Sequence, residues 1–352
     1  MSVTIALDGM GGDHAPGIVV EGAAQALRDT PDLRFLLFGD EARLRPLLDA
    51  RPDLAKACEL RHTADFVAGD ARPSAALRQG RNSSMRLAIN AVKDGHAAAA
   101  VSAGNTGALL AMAMFVLKTL PGIDRPALAT AMPTQRKPVI ILDLGANVDC
   151  DADHLFQFAV MGEVVARTLH DIAKPTVGLL NVGVEEVKGD EVVRKAATML
   201  RDSPLQIGFA GFVEGNDIAA GSVDVVVTDG FTGNVALKVA EGTVGLFAQA
   251  LKDAFRSSLT SKLAYLLARP ALQRLRQRFD PRRYNGAMFL GVNGVVVKSH
   301  GGTDALGFSA AVRVAANLVR QDANRRIIEE MGAVQAALEP SAQMTASEAA
   351  AS

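Results

Sequence analysis

The sequence predicts an α/β fold: a doubly wound, mostly parallel sheet with helices on both faces. Three observations predict it. Short apolar runs alternate with helical patterns from end to end, the signature of repeated β-α units. Ala, Val, Leu and Gly are abundant, aromatics are 5% and Trp is absent, a balance suited to helices packed over a buried sheet. With 352 residues and 49% hydrophobic content, the chain can build a large core in two closely packed lobes.

The elements follow in order. "VTIALD" (3–8) is an apolar run closed by Asp8, and a glycine-rich loop leads to a helix from Pro16 to about Asp29. "RFLLFG" (34–39) precedes a helix from Glu41 to Ala50. "AAAAVSAG" (97–104) precedes "NTGALLAMAMFVLKTL", which starts on a potential Asn cap. "KPVIILDLGAN" (137–147) is followed by a helix from about Asp151 to His170. "PTVGLLNVG" (175–183) is followed by one from about Asp190 to Arg201. "QIGFAGFVEG" and "VDVVVTDG" (223–230) come next, then a long helix from Asn234 to Phe255. "AMFLGVNGVVVKSHG" (287–301) reads as a hairpin turning at Asn293–Gly294. A last helix runs from about Asp304 to Met331. Residues 1–335 thus form one two-lobed domain, and the Ala/Ser-rich, aperiodic residues 336–352 are expected to be disordered.

Residues 257–283 break the alternation. Leu259, Leu263, Leu266 and Leu267 lie at helical spacing, Pro270 is expected to stop the helix, and Leu272, Leu275 and Phe279 begin a second stripe. The polar positions are almost all basic: Lys262, Arg269, Arg274, Arg276, Arg278, Arg282 and Arg283 against Asp280. Such an amphipathic helical hairpin suits a subunit interface, a membrane foothold or a dock for an acidic partner.

Composition narrows the function. A net charge of -1 gives no global field for nucleic acid. Cys58 and Cys150 form no metal or redox motif and read as reduced thiols. No basic, apolar leader opens the sequence, and no apolar run approaches about 20 residues, so a cytoplasmic location is expected.

The strand-to-helix loops carry the chemistry, because ligands of parallel α/β sheets bind at strand carboxyl ends. They are rich in Gly and Asn: "DGMGGDHAP" (8–16), "SAGNTGA" (102–108), "DLGANVD" (143–149), "NVGVEEVKG" (181–189), "TDGFTGN" (228–234) and "SHGGTD" (299–304). Helix starts carry unpaired N–H groups and the positive end of the dipole, and glycine lets backbone approach a ligand. Six such loops suggest one composite anion site, with phosphate as the natural occupant. Lys238, one turn beyond Asn234, adds a positive charge. Other motifs fail. His14 occupies the last glycine position of a dinucleotide fingerprint, no NTPase P-loop is present, and Ser102 lacks the hydrolase elbow. Asp149, Asp151 and Asp153 read as helix N-terminal carboxylates rather than calcium ligands. With no evident nucleophile, a bound anion is the better attacking group.

Together "LDGMGGDHAP", "SAGNTGALL", "RPALA", "LDLGAN", "GLLNVGVEEVKG", "GFVEGNDI", "DVVVTDGFTGNVALK" and "KSHGGTD" resemble the bacterial phosphate acyltransferases of phospholipid synthesis, from residue 4 to about 330. The resemblance implies a fold like phosphotransacetylase and the isopropylmalate dehydrogenases, and a homodimer needing neither cofactor nor metal. It implies transfer of a long-chain acyl group from acyl carrier protein to inorganic phosphate. A membrane glycerol-3-phosphate acyltransferase would take the product, placing the protein peripherally on the inner membrane face. The basic hairpin would then steer the acidic carrier. On this reading Asn105, Thr106, Asn234 and the backbones of Gly104 and Gly233 hold phosphate. Lys188 stabilises the oxyanion or holds phosphate, and His14 and His300 orient phosphate or protonate the leaving thiol. Asp8 and Asp229 fix loop amides and lysines. A nicotinamide-dependent dehydrogenase, a non-catalytic carrier-binding scaffold and an acyl-CoA-using enzyme are the rivals.

Overall fold

The computed structural model describes residues 2–351; the side chains of Arg276 and residues 338–352 lie outside the described set. The first half of the chain runs β1 (Val3–Asp8), α1 (Gly17–Asp29), β2 (Leu33–Gly39), α2 (Glu41–Asp49), α3 (Pro52–Ala57), β3 (Cys58–His62), α4 (Pro73–Gln79), α5 (Ser84–Lys93), β4 (Ala99–Ser102), α6 (Thr106–Leu117), β5 (Ala127–Met132), β6 (Val139–Leu142) and α7 (Ala152–Leu169). It continues through β7 (Thr176–Leu180), α8 (Glu191–Asp202), β8 (Gly208–Val213), α9 (Gly215–Ala220), β9 (Val225–Val227), α10 (Gly230–Arg256), α11 (Leu259–Arg278), β10 (Ala287–Leu290), β11 (Val295–Lys298), α12 (Ala305–Arg320) and α13 (Ala323–Ala351).

Among the described residues, eleven strands form one sheet in the order β3-β2-β1-β4-β11-β10-β5-β6-β9-β7-β8. Most neighbours are parallel; β10 is antiparallel to β11 and β5, and β5 to β6. Strand alternation divides the core between two faces. Ile140 and Leu142 join the cluster covered by α1, α7, α8, α12 and α13, while Val139 and Ile141 join the one under α5 and α6. Apolar runs such as VIIL and VVV are thus buried on both sides, as a doubly wound sheet requires.

Three antiparallel steps, β11-β10, β10-β5 and β5-β6, have a consequence for the loops. Following the pairings, β6, β9, β7 and β8 run opposite to β1, β4 and β11. The six glycine-rich loops therefore leave strands of two opposite directions, three from each.

Other expectations change in detail. Helix α10 begins at Gly230, four residues before Asn234. Helix α11 runs unbroken through Pro270, which removes one ladder donor without ending the helix. The protruding element is therefore α10 packed against α11, with Phe255 edge-on to Tyr265 at 5.5 Å, rather than a hairpin within 257–283. The last helix breaks at Asp322, whose φ is 52°, giving α12 and α13. Residues 336–351, expected as disordered, continue α13; Ala carries the highest helix propensity, and lack of periodicity removes a packing face rather than the helix.

Candidate functional site

The first loop group gathers at the carboxyl ends of β1, β4 and β11. Its centre is Asp8, almost fully buried where β1 ends. One carboxylate oxygen accepts from Ser84 Oγ at 2.6 Å and Met10 N at 3.3 Å, and the other from Ser102 Oγ at 2.6 Å. Burial pushes the carboxyl up, and the hydroxyls of Ser102 and Ser84 pull it back. Ser102 Oγ in turn accepts from Gly104 N at 3.0 Å. The loops touch closely. A Cβ on Gly11 would lie 2.7 Å from Gly104 N, and one on Gly12 would lie 2.9 Å from Ala103 Cβ. Asp13 N donates to Gly301 O at 3.0 Å.

Asn105 caps α6: its Oδ1 accepts from Ala108 N at 2.8 Å and its Nδ2 donates to Gly69 O at 2.7 Å. Both amide groups are thus engaged, and Asn105 shapes the helix start rather than offering a side-chain donor. Thr106, in the first turn, is exposed. His14 and His300 are exposed on the two neighbouring loops, and His300 Nδ1 accepts from Gly302 N at 3.2 Å.

Lys298, a residue that the motif reading passed over, closes β11. It is buried, and its Nζ donates to Ala103 O at 3.4 Å and to Ser299 O. Burial lowers its pKa to about 8, against the pull of Asp13 and Asp8. The signal was in view: a lysine ending the apolar run VVVK must carry its charge into the loop cluster.

The second group stands on Asp143, fully buried after β6. It accepts from the backbone N–H groups of Leu128 (2.9 Å), Gly145 (3.2 Å), Ala146 (3.0 Å) and Asn147 (2.7 Å), and from Asn147 Nδ2 at 2.9 Å. Gly230 N donates to Asn147 O at 2.7 Å. A Cβ on Gly233 would sit 1.9 Å from Asp143 O, so only glycine lets the first turn of α10 lie on this loop. That close approach explains the small residues after β9. Asp229 caps α10, accepting from Thr232 N at 2.8 Å, and Asn234 Nδ2 donates to Leu144 O at 3.1 Å. Lys188 is exposed and paired with Glu185 at 2.9 Å, a hydrogen bond that raises its pKa. Lys238 is exposed and paired with Glu241 at 2.8 Å.

A cleft of about 480 Å³ opens beside this group, lined in part by apolar residues such as Leu155, Leu179 and Phe231 and in part by polar ones, among them Asp149, Asn181, Asp190 and Asp229. Burial pushes the Cys150 thiol up to about 12. Leu180 and Leu144 also pack with the cluster that holds α6 and Leu237 of α10, so the two groups border one continuous apolar layer. Asp151 caps α7, accepting from His154 N at 2.9 Å, as its place in the sequence suggested. Among the described residues no group of three or more His, Cys, Asp or Glu is placed to hold a metal ion.

The basic positions of 257–283 divide. Lys262, Arg269, Arg274 and Arg283 are exposed. Arg278 donates to Gln135 O at 2.6 Å. Arg282 is committed to Asp280 and, at 2.6 Å, to Asp304, the cap of α12, so it ties the fold together rather than facing a partner. The side chain of Arg276 lies outside the described residues.

The two-faced α/β sheet is shared with solved phosphotransacetylases. A phosphotransacetylase from Streptococcus pyogenes superposes with a TM-score of 0.63 at 19% identity, covering 91% of this chain and 94% of that one. Another from Staphylococcus aureus gives 0.57 at 17% identity, covering 92% and 94%. Those likenesses show the fold. The sequence places the protein more closely: the chain belongs to the fatty acid synthesis protein family, whose model matches residues 3–326. A phosphate acyltransferase of Rhodospirillum centenum is 64% identical over 96% of this chain and 95% of its own length. One from Rhodospirillum rubrum is 59% identical over 95% and 96%.

Proposed function

We propose that the protein transfers a long-chain fatty acyl group from the thioester of acyl carrier protein to inorganic phosphate, releasing acyl phosphate and the free carrier thiol. The observation that carries it is the start of α6. Helices α7, α8, α10 and α12 are capped by Asp151, Asp190, Asp229 and Asp304, carboxylates that compete with an anion. Helix α6 is capped by neutral Asn105, which takes only Ala108 N. The remaining first-turn amides and the positive dipole end are compatible with phosphate, with His14 and His300 on adjacent loops.

A phosphate oxygen attacks the thioester carbonyl carbon, the C–O bond forms, and the C–S bond breaks. The thiolate takes a proton from solvent or from a loop histidine; it leaves readily, so a strong acid is not required. Asp229 and Thr232 of the second loop group line the cleft, whose apolar part would take the acyl chain. Exposed apolar side chains on α10 and α11, among them Val239, Leu246, Phe247, Leu263 and Leu266, support a homodimer contact or a membrane footing beside the exposed basic residues. No helix among the described residues is long and apolar enough to cross a membrane. A membrane glycerol-3-phosphate acyltransferase is the consumer of the product in this reading.

The test is a parallel assay of palmitoyl-acyl carrier protein and palmitoyl-CoA with inorganic phosphate, trapping acyl phosphate with hydroxylamine. Hydroxamate from the carrier substrate supports the reading. Hydroxamate from CoA alone would move it to phosphotransacetylase chemistry, and none from either would overturn it.

A further inference from the structure

We propose that Lys298 is a positioning residue that holds the phosphate-binding loops in register, tying the entry of α6 to the loop that carries His300. The inference rests on placing phosphate at α6. The ammonium bonds the carbonyls of Ala103 and Ser299, which lie on different loops. Each carbonyl belongs to a peptide unit whose N–H is itself committed. Gly104 N donates to Ser102 Oγ, whose hydroxyl donates to Asp8. His300 N donates to Asn285 Oδ1 at 2.9 Å, and Asn285 Nδ2 reaches Ser299 Oγ and Gly307 O, both at 2.8 Å. One buried side chain thus orients the Ala103–Gly104 peptide, just ahead of Asn105, and the Ser299–His300 peptide. It does so where Gly12 fills the gap between Ala103 and Gly301, leaving no slack.

The charge also matters. A buried ammonium unpaired by direct contact with a carboxylate is costly, and an arriving dianion offsets that cost. Asp8 on β1 and Asp13 on the following loop are the acidic groups that raise the affinity of Lys298 for its proton, and His300 is the titratable neighbour on its own loop. The hydroxyls of Ser102 and Ser84 are spent on Asp8, which leaves no second cation requirement at that carboxylate.

The experiment compares wild type with Lys298→Met and Lys298→Arg from pH 6.5 to 9.5, measuring KM for phosphate and KM for the acyl carrier separately. In wild type the phosphate KM is expected to rise above about pH 8, following loss of the Lys298 proton. Lys298→Met should raise phosphate KM at pH 7 about tenfold or more, leave carrier KM within about twofold, and lose that alkaline dependence. Phosphate's own titration is common to both proteins, so their difference isolates the lysine. Lys298→Arg should keep the raised-affinity range to higher pH. An alkaline limb unchanged in Lys298→Met, or equal changes in both KM values, overturns the proposal. If the variants do not fold, stabilisation of wild type by inorganic phosphate in thermal melts decides it: the shift should fade above about pH 8, and a constant shift overturns it. If wild type makes no acyl phosphate yet binds phosphate with this pH dependence, the reaction is misassigned while the role of Lys298 stands.

Discussion

Asp143→Asn should destabilise the protein by about 2–6 kcal/mol. Its buried carboxylate accepts five hydrogen bonds, three on Oδ1 and two on Oδ2. An amide must put its NH2 at one of those oxygens. The cheaper orientation faces the NH2 towards Asn147 N and Nδ2 and leaves two buried donors unpaired, each costing about 1–3 kcal/mol. Asn147 Nδ2 keeps a second acceptor in Pro126 O at 2.8 Å, which favours the lower half of that range. Against a typical net stability of about 5–15 kcal/mol the loss is large. Urea unfolding followed by circular dichroism reads it as a lower midpoint at unchanged slope. A loss below about 1 kcal/mol would refute the view that this carboxylate organises the second loop group.

Three further outcomes are expected. Because the Lys298 pKa falls from 10.5 unfolded to about 8 folded, the unfolded state binds the extra proton between those values. Wild type should therefore gain stability relative to Lys298→Met as pH rises from 8 to 10, by at most about 3 kcal/mol; a falling difference in melts would contradict the buried charge. Cys58 and Cys150, both pushed up to about 12 by burial, should carry about one thiolate in ten thousand at pH 8. Iodoacetamide should leave both unmodified in the native protein and alkylate both in urea, as mass spectrometry can read; rapid native labelling would be inconsistent. Replacing Lys262, Arg269 and Arg274 by Glu should raise KM for the acyl carrier more than tenfold at low salt while sparing any activity with acyl-CoA. Equal effects on both donors would remove the docking role.

Where local pattern and burial agree, the fold is written plainly in the chain. VTIALD, VIIL and VVV become central strands because both faces are covered, and Asp151 and Asp190 begin helices by capping them. Residues 51–94 are harder to read. The edge strand CELRH is half exposed and mixes charges with apolar residues, so β3 shows neither a buried run nor a clean alternation. ALATAM resembles helix by composition, and only its neighbours make it β5. The direction change across β10, β5 and β6 is a tertiary fact, so the sequence does not show that the six loops leave strands of opposite direction. The start of α10 misleads for a related reason: Gly230 and Gly233 look like loop residues, but they are helical because Asp143 and Asn147 press against them. Asp143 and Lys298 stood inside quoted motifs, yet their roles depend on burial, which spacing does not record.

Direct displacement is tested most sharply by counting both products. The purified protein would be mixed with an equal amount of palmitoyl-acyl carrier protein, with and without inorganic phosphate, and free carrier thiol and trapped acyl hydroxamate measured together. With phosphate, one hydroxamate should form for each thiol released; without it, neither should appear. Stoichiometric thiol release in the absence of phosphate would reveal acylation of the protein or hydrolysis, and would contradict attack by bound phosphate on the thioester.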